Sequence, residues 1–320
     1  MAERLQPTAL VTGGTGFIGR TLIRRLGRDG WRIHGLVRSA ASAPPADGVE
    51  WHPLPVDTEA LIGLVRGLSP SACFHLATDF RARHEPADVT AMIETNVAMG
   101  TRLAEALTRG NRCPLVYTGT AWQHFEGRPY SPNSLYAATK QALEDILAFY
   151  AEVDGLPVAT VNFFDTYGPD DARPKLVPLL LRAARTGEPV DLSSGEQLID
   201  LLHVDDAVEC LLAVASVLTE GGQSPAVFSA HSDTPVTVQR LVDLVAEATG
   251  WPVPVRWGAR PSRPREMLTP WRFATRPPGW NPRIPLEEGL RSLAAAAVGP
   301  TTAGRPPSPA RASGEPGRTA

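Results

Sequence analysis

The chain has only three cysteines in 320 residues, Cys73, Cys113 and Cys210, far apart and without a CxxC pair. That scarcity excludes a disulfide framework and gives no cysteine-based zinc site, so no metal ion is expected, and a reducing cytoplasm fits. Long apolar runs are missing as well. No stretch approaches the roughly 18 to 20 residues that span a bilayer, and "MAERLQPTALVTGG" has no signal-type apolar core, so no membrane partner is expected. Charge of one sign is also lacking: 31 Lys and Arg against 34 Asp and Glu give a net charge of −3, which offers no attraction for nucleic acid or an anionic surface. With 43% apolar and 20% charged residues, the composition is that of a soluble globular enzyme.

Short apolar runs alternate with segments of helical period, from "TALVTG" and "WRIHGLV" through "SACFHLA" and "PLVYTG" to "PVATVNFF". Strands apolar on both faces with helices between them predict an α/β, Rossmann-type, doubly wound parallel sheet. After about Gly168 the pattern becomes proline-rich and mixed, which predicts a smaller C-terminal lobe, a substrate-binding one by the family resemblance given below. The expected organisation is residues 1–168 as the main dinucleotide-binding domain and 169–298 as the main substrate lobe, with 200–230 packing back on the first domain. Residues 299–320, rich in Pro, Gly, Ser, Thr and Ala, are expected to be a disordered tail.

"LVTGGTGFIGR", residues 10–20, sets Gly13, Gly14, Gly16 and Gly19 between a strand and a helix. Glycine permits the tight turn, and the unpaired N–H groups at the helix start suit a pyrophosphate. The next strand ends "LVRSA". An acid there would receive a ribose 2′-hydroxyl, but Arg38 and Ser39 stand in its place and no acid follows before Asp47, which favours NADP(H) over NAD(H). Asp57 suits either the adenine amino group or the N-cap of the helix that follows, and the two roles are compatible.

"YTGTAWQHFEGRPYSPNSLYAATK" carries Thr120, Tyr136 and Lys140. Tyr136 and Lys140 are four apart on a predicted helix and share a face. A nearby ammonium favours an ionised phenol, which is expected to lower the Tyr136 pKa from its ordinary value of about 10. Thr120 ends a strand at the crevice where open α/β sheets bind ligands. Trp122, Gln123 and His124 follow closely enough to line a substrate pocket, or to pack as a loop. His75 and His203 read as structural at least as well as functional.

These pieces resemble the extended short-chain dehydrogenase/reductases, the NAD(P)-dependent epimerase/dehydratase group that acts on nucleotide sugars. The resemblance covers about residues 7–297 and rests on "TGGTGFIG", "HLAT", "ETNVAMGT", Thr120, "YAATK", "DTYGPDD", "LLHVDDAV" and "PGWNPRIPLEEGL". Within the group, "GTAWQHFEGRPYSPNSLYAATKQALE" is most similar to abequose-synthase-type reductases of a 4-keto group in a nucleotide-linked (CDP or dTDP) deoxyhexose. The resemblance implies NADPH/NADP held by Gly13, Gly16, Phe17, Ile18, Gly19, Arg38, Ser39, Asp57, Leu76, Ala77, Tyr136 and Lys140. It implies Thr120, Tyr136 and Lys140 as catalytic residues, and Asn96 as a buttress of the site.

The 4,6-dehydratases of the group place an Asp-Glu pair directly after the catalytic Thr; Ala121 and Trp122 stand there, so dehydration is not expected. A 4-epimerase with tightly held NAD is the alternative, and a non-catalytic NADPH-binding sensor or scaffold is an alternative of another class. Many relatives bind the substrate diphosphate with an Asn at the place of Asp165 and an Arg at the place of Ile199. Arg173 and Lys175 are expected to replace those contacts, with Arg263 or Arg265 as further candidates. The expected substrate residues are thus Trp122, Gln123, Asp165, Arg173 and Lys175, in a homodimer.

Overall fold

A computed structural model describes residues 6–39, 48–271 and 275–297. The expected tail, 299–320, lies outside the described residues. Seven strands form one parallel sheet: β1 (Thr8–Thr12), β2 (Arg32–Val37), β3 (Val49–Pro53), β4 (Ala72–His75), β5 (Leu115–Thr120), β6 (Val158–Phe163) and, later in the chain, β11 (Ala226–Ala230). Their order is β11-β6-β5-β4-β1-β2-β3. The order reverses beside β1, so the carboxyl ends of β1 and β4 part there and leave a crevice.

Helices cover both faces. On one, α1 (Phe17–Arg28) and α7 (Val204–Thr219) bury Leu22, Leu26, Leu211 and Val214 against Val11, Phe74 and Val161. On the other, α2 (Thr58–Leu68), α4 (Met99–Arg109) and α5 (Leu135–Asp154) bury Leu61, Leu103, Leu107 and Leu143 against Leu10, Leu115 and Tyr117. Central strands contacted on both faces must be apolar throughout, which is why β1, β5 and β6 are buried at every position.

Between β6 and α7 lie β7 (Asp165–Tyr167), α6 (Leu176–Thr186), β8 (Val190–Asp191), β9 (Leu198–Ile199) and β10 (Leu201–His203). With β12 (Val236–Thr237), α8 (Val238–Thr249), β13 (Val255–Arg256) and α9 (Leu286–Ala297), they surround a separate core of Tyr167, Leu180, Leu241, Val245 and Leu290. β7 and β10 pair in parallel, as do β8 and β13, while β9 and β12 pair antiparallel. The segment from 204 to 230 returns to the large sheet: α7 packs on α1, and β11 pairs with β6.

One irregular turn positions the site. Helix α3 (Val89–Ile93) runs into α4 through a π-helical turn, Glu94–Ala98. The wider turn carries Asn96, which is buried. Its Oδ1 accepts from Asp79 N (2.7 Å) and the Thr78 hydroxyl (3.1 Å), and its Nδ2 donates to Asp79 O (3.1 Å) and Thr139 Oγ1 (3.0 Å). Asn96 thereby ties the loop after β4 to α5, the two segments that flank the crevice.

Candidate active site

The glycine turn is shaped by close approach. Gly13 has φ +69°, and a Cβ there would lie 2.6 Å from the Ala77 backbone nitrogen; one on Gly19 would lie 2.1 Å from the Gly13 carbonyl oxygen. Glycine is required at both positions. No side chain caps the N-terminus of α1, and its first turn holds no acid. Its N–H groups therefore face a cavity of about 830 Å³ lined by Gly13, Gly16, Phe17, Ile18, Gly19, Arg38, Leu76, Ala77, Thr120, Tyr136 and Lys140. This cradle fits a dinucleotide pyrophosphate. Asp57 stands outside the cavity and N-caps α2 by accepting from Ala60 N at 2.7 Å, so of the two roles open to it the capping one is realised. Ser39 is exposed beyond the end of β2 and does not line the cavity, whereas Arg38 does.

The floor is a hydrogen-bonded plate. Thr12 Oγ1 accepts from Ala77 N (3.2 Å) and shares a hydrogen bond with His75 Nδ1 (2.7 Å). Burial and the nearby Lys140 charge push His75 down to about 3, so it is a neutral structural residue. It stacks on Tyr117, whose other neighbour is the Lys140 ammonium, 4.5 Å from the ring centroid.

Tyr136 and Lys140 lie on one face of α5, whose start is fixed by Ser134 accepting from Ala137 N. Burial is the largest effect on both. The Lys140 ammonium is pushed down to about 7, opposed by Glu144. The Tyr136 phenol is pushed up to about 12 by burial and by the Asp165 carboxylate, against the hydroxyls of Thr78 and Thr120 and the charge of Arg173. The expectation that Lys140 would draw the phenol downward is therefore corrected: desolvation is the largest effect and raises it, and Tyr136 stays protonated at neutral pH.

Thr120 is held from behind. After β5 the chain tightens into a 3₁₀ turn, Ala121–Gln123, that aims Gln123 inward. Its Oε1 accepts from Thr120 N at 2.9 Å, and its Nε2 donates to Gln141 Oε1 (2.9 Å) and Glu144 Oε2 (3.3 Å). Gln123 is fully buried and lines neither cavity described here, which corrects its expected place in a substrate pocket. His124 likewise packs away, stacked on Trp271 at 3.6 Å.

Trp122 does face the crevice. With Phe80, Asp165 and Lys175 it forms the neck between the large cavity and a second one of about 300 Å³, lined also by Ile199, Arg260 and Arg263. Phe80 meets Tyr136 edge-on at 5.0 Å and Trp122 at 5.5 Å. Lys175 pairs with Asp165 at 3.3 Å and lies 4.4 Å from the Phe80 centroid, while Arg263 lies over Trp122 at 5.2 Å. Asp165 thus takes the cation its position demanded. Arg173 does not accompany Lys175 into the second cavity. It grips buried Asp171 with two bonds (2.7 and 2.8 Å), donates to Thr166 O at 2.9 Å and covers the Phe17 ring on the dinucleotide side. Arg265 turns away to Ser131 and Phe125. Thr78, Phe80 and Arg260 were missed in the sequence. The first two lie within three residues of the "HLA" at the end of β4, where an open α/β sheet places ligand contacts.

The glycine turn, the Thr-Tyr-Lys face and the two joined cavities define a nicotinamide-dinucleotide-dependent enzyme of the doubly wound class. The NAD dependent epimerase/dehydratase family profile matches residues 9–228, and the chain belongs to that family. It is 28% identical over 312 residues to a UDP-glucose 4-epimerase of Mycolicibacterium smegmatis, covering 88% of this chain and 95% of that one. It is 25% identical to a CDP-abequose synthase of Yersinia pseudotuberculosis, covering 74% and 83%. Among solved structures, MoeE5 in complex with UDP-glucose and NAD superposes with a TM-score of 0.78 at 28% identity, covering 91% of this chain and 98% of that one.

Proposed function

We propose that the protein reduces the 4-keto group of a nucleotide-linked deoxyhexose, with NADPH as reductant. The bound dinucleotide supplies the hydride. The protein's residues do the rest: Tyr136, protonated, donates its phenolic proton to the carbonyl oxygen as negative charge develops there, and Thr120 donates a hydrogen bond to the same oxygen. Lys140 lies one turn along the same face to hold the nicotinamide ribose. Phe80 and Trp122 offer apolar planes that suit a sugar lacking a hydroxyl, and Lys175, Arg260 and Arg263 supply charge for the diphosphate. Ala121 and Trp122 exchange no protons, which argues against dehydration.

The observation that carries the reading is the placement of Thr120, Tyr136 and Lys140 on the dinucleotide cavity together with Arg38. Ketone reduction draws on Tyr136 as proton donor alone, whereas epimerisation uses it first as base and then as acid. Arg38 on the dinucleotide cleft, with no acid at the end of β2, supports NADPH. The second reading, a 4-epimerase, is favoured by the likeness to the M. smegmatis enzyme and to MoeE5.

The deciding experiment offers CDP- and dTDP-linked 4-keto-6-deoxy and 3,6-dideoxy sugars with NADPH, followed by cofactor absorbance and product NMR. Stoichiometric NADPH consumption with a new 4-hydroxyl is expected. Copurified NAD, with interconversion of UDP-glucose and UDP-galactose and no NADPH consumption, would establish the epimerase instead.

A further inference from the structure

Away from the crevice, two imidazoles and a carboxylate converge on the outer strand pair of the large sheet. Glu50 and His52 are two apart on β3 and so project from the same face, and the register sets Glu50 opposite His34 on β2. His34 Nδ1 lies 2.9 Å from His52 Nε2. The Glu50 carboxylate oxygens lie 3.5 Å from the first nitrogen and 3.6 Å from the second. The His34 and His52 side chains are only 5% and 16% exposed, while Glu50, at 65%, closes the group from solvent.

A direct imidazole–imidazole hydrogen bond accounts for one of these three approaches. The other two, at 3.5 and 3.6 Å, are ion-pair distances too long for hydrogen bonds to the carboxylate. A cation held by all three donors would bring the two imidazoles and the carboxylate to one centre. Tetrahedral zinc with bonds of about 2.0 to 2.2 Å separates its ligand atoms by about 3.3 to 3.6 Å; the nearest carboxylate oxygen to each imidazole falls in that range, Oε2 for His34 and Oε1 for His52, and the carboxylate needs to turn and the imidazole pair to open by a few tenths of an ångström.

We infer that His34, Glu50 and His52 form a binding site for one divalent transition-metal ion of the zinc class, with water completing the shell. Two imidazoles with one carboxylate select such ions over magnesium and calcium, which take oxygen ligands. None of the three residues lines either cavity of the active site. The ion clamps the edge strand β3 to β2, whose ends carry Leu54 and Arg38 to the dinucleotide cleft. Its role is therefore structural support for that rim. Cysteine counting could not find this site; the trace in the sequence is a Glu-x-His at strand period, with a histidine 18 residues before the second ligand.

The test uses untagged full-length protein stripped with a chelator and dialysed. Titration with Co²⁺ is expected to give one equivalent of visible tetrahedral absorption, bleached by one equivalent of Zn²⁺, and Zn²⁺ but not Mg²⁺ is expected to raise the melting temperature. His52→Ala should abolish the absorption and weaken Zn²⁺ by at least the roughly 10- to 100-fold that loss of a supporting group costs a metal site. Glu50→Gln, an exposed and conservative change that leaves the fold intact, should weaken Zn²⁺ about tenfold or more. The inference is overturned if the wild type shows no saturable Co²⁺ or Zn²⁺ binding, or if both variants bind Zn²⁺ as tightly as the wild type.

Discussion

Replacing Lys140 by Met should make the empty protein more stable while destroying its activity. Met keeps the length and apolar volume of the lysine stem and removes only the ammonium. Lys140 is 1% exposed, and burial brings it from an ordinary 10.5 to about 7. Holding that charge, or giving up its proton, destabilises the fold by an amount on the order of 5 kcal/mol at pH 7 and below. The contact with the Tyr117 ring, 4.5 Å from Nζ, returns about 1 to 2 kcal/mol when desolvated, so a net gain of about 3 to 4 kcal/mol is expected for the variant. The sign with pH follows from proton counting. Between about pH 7 and 10.5 the unfolded lysine binds a proton that the folded one has released, so wild-type stability rises with pH relative to the variant. The gap should narrow by up to about 1.4 kcal/mol per pH unit in that window and stay flat below it. Urea unfolding of both proteins from pH 6 to 10, without cofactor, measures it. A gap that does not change with pH, or a variant less stable at pH 7, would refute the claim that Lys140 is held in the fold at a desolvation cost.

Tyr136→Phe should retain NADPH binding, read by fluorescence, and lower kcat about 10²- to 10⁴-fold, as expected for a lost general acid; near-normal turnover would remove Tyr136 from that role. Arg38→Ala should raise the KM for NADPH and leave that for NADH unchanged, and equal losses with both would show that Arg38 does not read the 2′-phosphate. Lys175→Ala should raise the sugar-nucleotide KM by about an order of magnitude or more, since a hydrogen bond to a charged group contributes about 1.5 to 3 kcal/mol. Arg173→Ala should instead destabilise the protein by releasing buried Asp171, which thermal unfolding detects, with the larger kinetic effect on the dinucleotide side.

The sheet, the glycine turn and the Tyr136–Lys140 face were legible because each rests on local spacing: apolar runs, glycines at fixed offsets, and a four-residue step along a helix. What escaped depends on where a side chain ends up after its neighbours have chosen partners. Arg173 looked available for a diphosphate until Asp171, two residues earlier, folded beneath it. Gln123 looked like a pocket residue because it follows Thr120 so closely, yet a single 3₁₀ turn reverses its direction and makes it the clasp on the Thr120 backbone. The π-helical turn that carries Asn96 is invisible to a period of 3.6. The direction of the Tyr136 shift was misjudged because sequence shows a lysine four residues away but not the burial that raises the phenol.

Asp165 links these corrections into one account of the proposed reaction. A carboxylate at the mouth of a diphosphate site is an obstacle while it is considered alone. In the structure it pairs with Lys175 at the neck and also bears on Tyr136, where its charge acts with burial to keep the phenol protonated. An asparagine in its place would remove that second influence and let the phenol ionise more readily, the state an alcohol-oxidising enzyme needs. The departure at position 165 therefore suits the proposed direction of hydride transfer. Asp165→Asn should shift the alkaline limb of the kcat profile for ketone reduction to lower pH, while Asp165→Glu, which keeps the charge, should leave the limb in place. An unchanged limb in Asp165→Asn would disconnect the carboxylate from the proton donor and leave it only the pairing with Lys175.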